Sequence, residues 1–175
     1  IQPVDFVETG SLCYMTLPRV YRPEGRDEMK PTIQAQTGVK SCRLVHKGRG
    51  EFIGLKEIME YMTREDLEKA VHELGCMMGL IHFVGKNDAY DVEVYFGKEA
   101  NSRKCRFYLA DFDLSEEIKN FDDYATIERM TWSLDAVPYF PRASVDKGLF
   151  NIFIAAYKSV AGNDELVDQI FEDYD

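Results

Sequence analysis

The stretch LIHFVGKNDAYDVEVYFGKEANSRKCRFYLADFD, Leu80 to Asp113, decides the reading of the fold. It predicts a helix end, a loop, a strand, a polar hairpin, a second strand, and then Asp-Phe-Asp. Residues 91–96, DVEVYF, alternate as a half-buried strand does, because successive strand side chains point to opposite faces. GKEANSRK turns the chain and CRFYLADF returns it, so a hairpin is expected over 91–112. Just upstream, Thr63 with Asp66 three residues on predicts a capped helix start. Leu67, Val71, Leu74, Met78 and Ile81 then recur at helical spacing and mark its buried face. Gly75 and Gly79 lie four apart on that helix and would let a neighbour approach closely. Downstream, a helix is predicted over 122–136, carrying the only tryptophan, Trp132. Asp146 opens an apolar helix through Leu149, Phe150, Phe153, Ile154 and Tyr157. Gly162 ends it, and Asn163 or Asp164 starts a last acidic helix.

The N-terminal third reads differently. Residues 4–9 and 11–21 are rich in β-formers and predict extended segments around Gly10. Residues 22–38 hold two prolines, two glycines and many charges, and predict a long exposed loop. VKSCRLVHK predicts a short strand, GRGEFIG a turn, and 55–61 a helix. Together these give an α+β fold of one domain, residues 1–175. A small strand- and loop-rich basic part, 1–50, would pack on a helical part, 51–175, that contains the hairpin 91–112. The expected layout is a reduced kinase-like arrangement.

At 175 residues, with 45% hydrophobic and 13% aromatic content, the chain can bury a core and is not of disordered composition. It has no apolar run near the ~20 residues a membrane helix needs, and no signal peptide is visible. It begins at Ile1, so a short preceding piece is expected. Cys13, Cys42, Cys76 and Cys105 are scattered, without a CxxC pair, and His46, His72 and His82 do not join them at zinc spacings. Free thiols in a reducing compartment are expected, hence a cytoplasmic or nuclear protein.

The net charge of −10 is unevenly spread. Residues 19–49 carry Arg19, Arg22, Arg26, Lys30, Lys40, Arg43, Lys47 and Arg49 against three acids, a net of +5. Residues 111–175 carry fifteen acids against five bases, a net of −10. Such a split points to two unlike neighbours, phosphate for the basic arm and basic protein for the acidic end, with solvated surfaces as the plainer account of both.

The order of elements in 80–113 is that of the catalytic half of a kinase-like phosphotransferase, with Asp111 and Asp113 where a strand-end acid would hold Mg²⁺. The chemistry is not there in the sequence. The loop led by His82 has Val84 where a catalytic Asp is needed, and Ala89 where an Asn is needed. No Gly-rich phosphate loop and no phosphate-binding Lys segment precede it. Asp111 and Asp113 therefore read first as a strand-end pair capping the next turn, and His82 as a packed histidine. Asp88, Asp91 and Glu93 read as a solvated face. The Tyr139-Phe140-Pro141-Arg142 corner either clamps a partner or buries its rings, with Arg142 set to pair with Asp111 or Asp113.

The segment from Leu67 to about Gly162 resembles a fungal family of unknown function whose members are often labelled zinc-finger-associated. The residues that carry this are Leu80-Ile81-His82-Phe83, Asp88-Ala89-Tyr90-Asp91-Val92-Glu93-Val94-Tyr95-Phe96-Gly97, Tyr108-Leu109-Ala110-Asp111-Phe112-Asp113 and Pro138-Tyr139-Phe140-Pro141-Arg142. Departures are Phe83 for Trp, Asp113 for Asn and Ala143 for Pro. That family implies no established reaction. The short stand-alone form is also similar in kind to the microsporidian dormancy factors that sit on silent ribosomes near the exit-tRNA site. The resemblance implies a non-enzymatic, monomeric hibernation factor that needs no cofactor or metal and contacts rRNA and basic ribosomal proteins. The eight bases of the arm would contact RNA, and Tyr139, Phe140 and Arg142 a partner. The alternatives are a phosphotransferase or nucleotide-binding pseudokinase using Asp111 and Asp113, and a protein-interaction module.

Overall fold

A computed structural model describes residues 6–9, 12–15, 20–21, 33–46, 50–99, 104–136, 138–172 and 174. The elements in chain order are β1 (Phe6–Thr9), β2 (Leu12–Met15), β3 (Val20–Tyr21), β4 (Ile33–Gln36), β5 (Arg43–His46) and β6 (Gly50–Gly54). The short helix α1 (Leu55–Ile58) and the long helix α2 (Arg64–Gly79) follow, then a π turn over Leu80–Val84, β7 (Glu93–Glu99) and β8 (Arg106–Ala110). The chain ends in α3 (Tyr124–Asp135), α4 (Ala143–Ala161) and α5 (Asp164–Phe171). The fold is α+β, as the sequence predicts.

β1 and β2 pair with each other. The main sheet runs β8–β7–β4–β6–β5, with β3 pairing the far end of β7 at Lys98 and Glu99. Among the described strands only β4 and β6 are parallel; the other pairs are antiparallel. The predicted hairpin is β7–β8, and its alternation is visible in the core: Val94 faces Leu109 and Phe96 faces Phe107, all buried. The hairpin does not stand apart within the helical part. It completes the sheet begun by the N-terminal strands, with Ile33 opposite Phe96.

Two expectations fail here. Residues 33–36, expected in an exposed loop, are an inner strand with Ile33, Gln34 and Ala35 buried. Residues 50–54, expected to be a turn, are the parallel partner of that strand. The polar letters of IQAQTG conceal the strand because its polar groups are satisfied inside the protein. Tyr139 Oη donates to Gln34 Oε1 (3.2 Å), and Thr37 donates from both N (3.2 Å) and Oγ1 (2.6 Å) to the Tyr139 carbonyl. At the next residue a Cβ on Gly38 would lie 2.5 Å from the Phe140 carbonyl oxygen, so the corner fits only over a glycine.

The helices begin where their caps are. Thr63 Oγ1 accepts from Asp66 N (3.1 Å) at the start of α2, and Asn163 Oδ1 accepts from Leu166 N (3.2 Å) at α5. Within the α4 span the backbone is non-helical at Asp146, whose Oδ1 accepts from Leu149 N (3.0 Å), so the main helix does open there. Gly162 ends α4 in the left-handed conformation, φ 66°. α2 and α4 pack face to face. A Cβ on Gly75 would sit 2.5 Å from the Phe153 carbonyl oxygen, and one on Gly79 3.0 Å from that of Tyr157. The two glycines thus set how closely the helices approach, and Leu67, Val71, Leu74 and Met78 meet Leu149, Phe153 and Tyr157 in the core. No helix among the described residues is long and apolar enough to cross a membrane.

Candidate functional site

The loop between the π turn and β7 is tied down by one buried acid. Asp88 is 3% exposed. Its Oδ1 accepts from Tyr90 N (3.1 Å) and Glu116 N (2.9 Å), and its Oδ2 accepts from Arg129 Nε on α3. Arg129 also donates from Nη2 to the Leu114 carbonyl (3.2 Å). Backbone bonds from Asp88 N to Glu116 O (3.0 Å) and from Ile118 N to Lys86 O (2.6 Å) stitch the same two segments. Asp88 is therefore a structural tie between three elements and not part of a solvated face. Burial of a carboxylate requires this full set of partners, since an unpaired one would neutralise or destabilise the fold. Sequence spacing could not find Arg129, 41 residues away. The available signal was its isolation: it is the only arginine between Arg106 and Arg142, in an acidic stretch.

The tie holds up an aromatic surface. Tyr90 stacks on Trp132 (ring centroids 4.2 Å apart, 19° between planes), and the Arg129 guanidinium lies 4.3 Å from the Tyr90 ring centre. Trp132 stays 39% exposed, Tyr124 77% and Leu114 53%. Tyr124, Glu128 and Trp132 follow one another at intervals of four along α3, so they share one face.

Asp111 and Asp113 are exposed at the end of β8. Asp111 has φ 66°, a conformation that favours glycine and that Asp tolerates better than most residues. Partial burial, then Asp113, and then Glu93 and Asp91 push its carboxyl above the usual range. The charges acting on it are thus acids. Arg142, expected to pair with Asp111 or Asp113, instead donates to Asp135: Nη2 lies 2.6 Å from its carbonyl oxygen and 2.9 Å from Oδ1. The reason is proximity, since Arg142 closes the turn directly after α3. Tyr139 and Phe140, expected at a partner surface, are buried, 6% and 0% exposed. The corner buries its rings and holds the end of β4, while Pro141 O accepts from Tyr174 Oη (3.0 Å). Among the described residues, no group of three or more His, Cys, Asp or Glu could hold a metal ion.

His82 lies in the π turn and is fully buried. Ser133 Oγ donates to Met130 O (2.7 Å), so its contact with His82 Nε2 (3.4 Å) has the imidazole as donor. Nδ1 is then the acceptor for Tyr157 Oη (2.6 Å), which fixes one neutral tautomer. Burial pushes the His82 pKa down to about 4, against the opposing pull of Asp88. The histidine joins the π turn, α3 and α4 as a neutral link.

Of the basic arm, Lys40 is exposed and Arg43 lies in β5, where the backbone alone is described; Arg19, Arg22, Arg26, Lys30, Lys47 and Arg49 fall outside the described residues. Comparison with known protein families, with curated proteins and with solved structures finds no match to this chain.

Proposed function

We propose that this chain is a non-enzymatic binder of the idle ribosome, a hibernation factor that blocks the exit-site region by occupancy. The observation that supports it is the opposed charge of its two ends, +5 over residues 19–49 and −10 over 111–175. A ribonucleoprotein offers both complements, phosphate for the basic arm and lysine- and arginine-rich protein for the acidic half. Occupancy needs no chemistry, because a ligand that favours the empty state excludes tRNA in proportion to its concentration over Kd. The residues that a phosphotransferase template would use point the same way. His82 is spent as a buried neutral link, and its loop has Val84 where a catalytic Asp is needed.

Sedimentation of the endogenous protein from dormant and growing cells tests the reading. Comigration with idle monosomes in dormant cells, lost after RNase, is expected. Sedimentation only at the top of the gradient in both states would overturn it. Reversing several arm residues to Glu, for example Arg22, Arg26 and Lys30, should weaken ribosome binding and flatten its salt dependence. A melting temperature raised by Mg²⁺-ATP and unmoved in Asp111→Asn would instead favour the nucleotide-binding alternative.

A further inference from the structure

We propose that the ledge of Tyr90, Trp132 and Tyr124, bordered by Glu116 and Glu128, docks an extended arginine- and lysine-rich polypeptide segment. Tyr124 and Trp132, two of the six large apolar side chains exposed among the described residues, lie on this face, and a third, Leu114, belongs to the segment that Arg129 binds through its carbonyl. Rigid tryptophan and tyrosine rings dominate binding hot spots because they offer much contact area for little lost freedom. Two of these rings are held in place. Tyr90 is held through its backbone N–H by Asp88 and stacked on Trp132, and Trp132 projects from the body of α3.

Charge selects the occupant. Residues 111–135 carry eight acids against Lys119 and Arg129. Arg129 is already engaged by Asp88 and by the Leu114 carbonyl, with Glu116 Oε1 3.8 Å from its Nη2. The face therefore offers no unengaged arginine to a phosphate and would repel a nucleic-acid backbone. A guanidinium or ammonium group fits it twice over, against an aromatic face and beside a carboxylate. The row Tyr124, Glu128, Trp132 spans about 12 Å of helix, at ~1.5 Å per residue. An extended segment covers that distance in about four residues, which brings two same-side basic side chains onto the row.

The proposal rests on reading the chain as a binder but not on the ribosome as target, so it is tested without ribosomes. The probes are a labelled arginine–glycine repeat peptide, a glutamate–glycine peptide of equal length, and oligouridylate. Each is titrated into the full chain at physiological ionic strength, where long-range attraction is screened. Trp132, the sole tryptophan, reports directly on the ledge. The expected result is saturable binding of the basic peptide alone, with a change in Trp132 emission. Tyr124→Ala and Glu128→Lys, both at exposed positions, should each weaken binding about tenfold or more. Variants that bind the basic peptide as tightly as the unaltered chain, binding without a Trp132 response, no binding, or a preference for oligouridylate would each overturn the proposal. Peptide binding alongside failed ribosome sedimentation would refute the ribosome reading and leave the ledge standing.

Discussion

Replacing Asp88 with alanine should be among the most damaging single changes in this protein. The substitution leaves three donors without their acceptor: Tyr90 N, Glu116 N and Arg129 Nε. A hydrogen bond to a charged group contributes roughly 1.5–3 kcal/mol, and breaking a buried ion pair costs roughly 3–5. The sum is discounted because the Arg129 side chain is 32% exposed and can turn to water. A loss of about 3 kcal/mol results, or roughly 6–12 °C in Tm for a chain of this size. Asp88→Asn keeps an oxygen for the two amides but turns an NH2 donor toward Arg129 in place of the ion pair, so it should recover only about 1 kcal/mol of that loss. Urea denaturation followed by both Trp132 emission and far-ultraviolet dichroism measures the effect. Trp132 should also report a local change before unfolding, because the loop that holds its stacking partner Tyr90 is released. An Asp88→Ala loss below about 1 kcal/mol would refute the reasoning, since it would mean the amides and guanidinium are rehydrated at little cost.

Gly75→Ala should destabilise by about 1–3 kcal/mol in the same denaturation assay, because its Cβ would meet the Phe153 carbonyl at 2.5 Å and backbone has to move. An unchanged midpoint would show that α2 and α4 are not held at that distance. The His82 link predicts a pH dependence. Its folded pKa of about 4 lies below the usual histidine value, so the unfolded chain binds the extra proton first. Stability from this group is therefore complete above about pH 6.5 and falls by roughly 3 kcal/mol as pH drops toward 4. His82→Gln should flatten that slope, whatever its effect at neutral pH; an unaltered slope would place the titration elsewhere.

Helix starts and ends were legible because their causes are local. Thr63, Asn163, Asp146 and Gly162 each act on backbone within a few residues. The hairpin was legible for the same reason: β7 and β8 each alternate, and they pair in antiparallel register close together in the chain. β4 and β6 were not legible, because what makes IQAQ a strand is a tyrosine 105 residues away and a parallel neighbour. The candidate site divides along the same line. Trp132 stood out as the single tryptophan, whereas the tie of Asp88 to Arg129 joins residues from separate elements and follows no spacing rule. The Tyr-Phe-Pro-Arg corner misled because hot-spot letters and core letters are the same.

The place of β7 in the sheet has a consequence for how the chain acquires its fold. β4 pairs on one side with β6 and on the other with β7, whose residues come some 60 positions later. During synthesis, or in a fragment that stops before Asp91, that second edge stays open and offers unpaired amides to any passing strand. Residues 1–50 are therefore not expected to fold as an independent unit. Closing the sheet brings together strands some 60 positions apart, a non-local pairing that slows folding. A truncation that removes β7 should yield a sticky, aggregating product rather than a smaller folded domain.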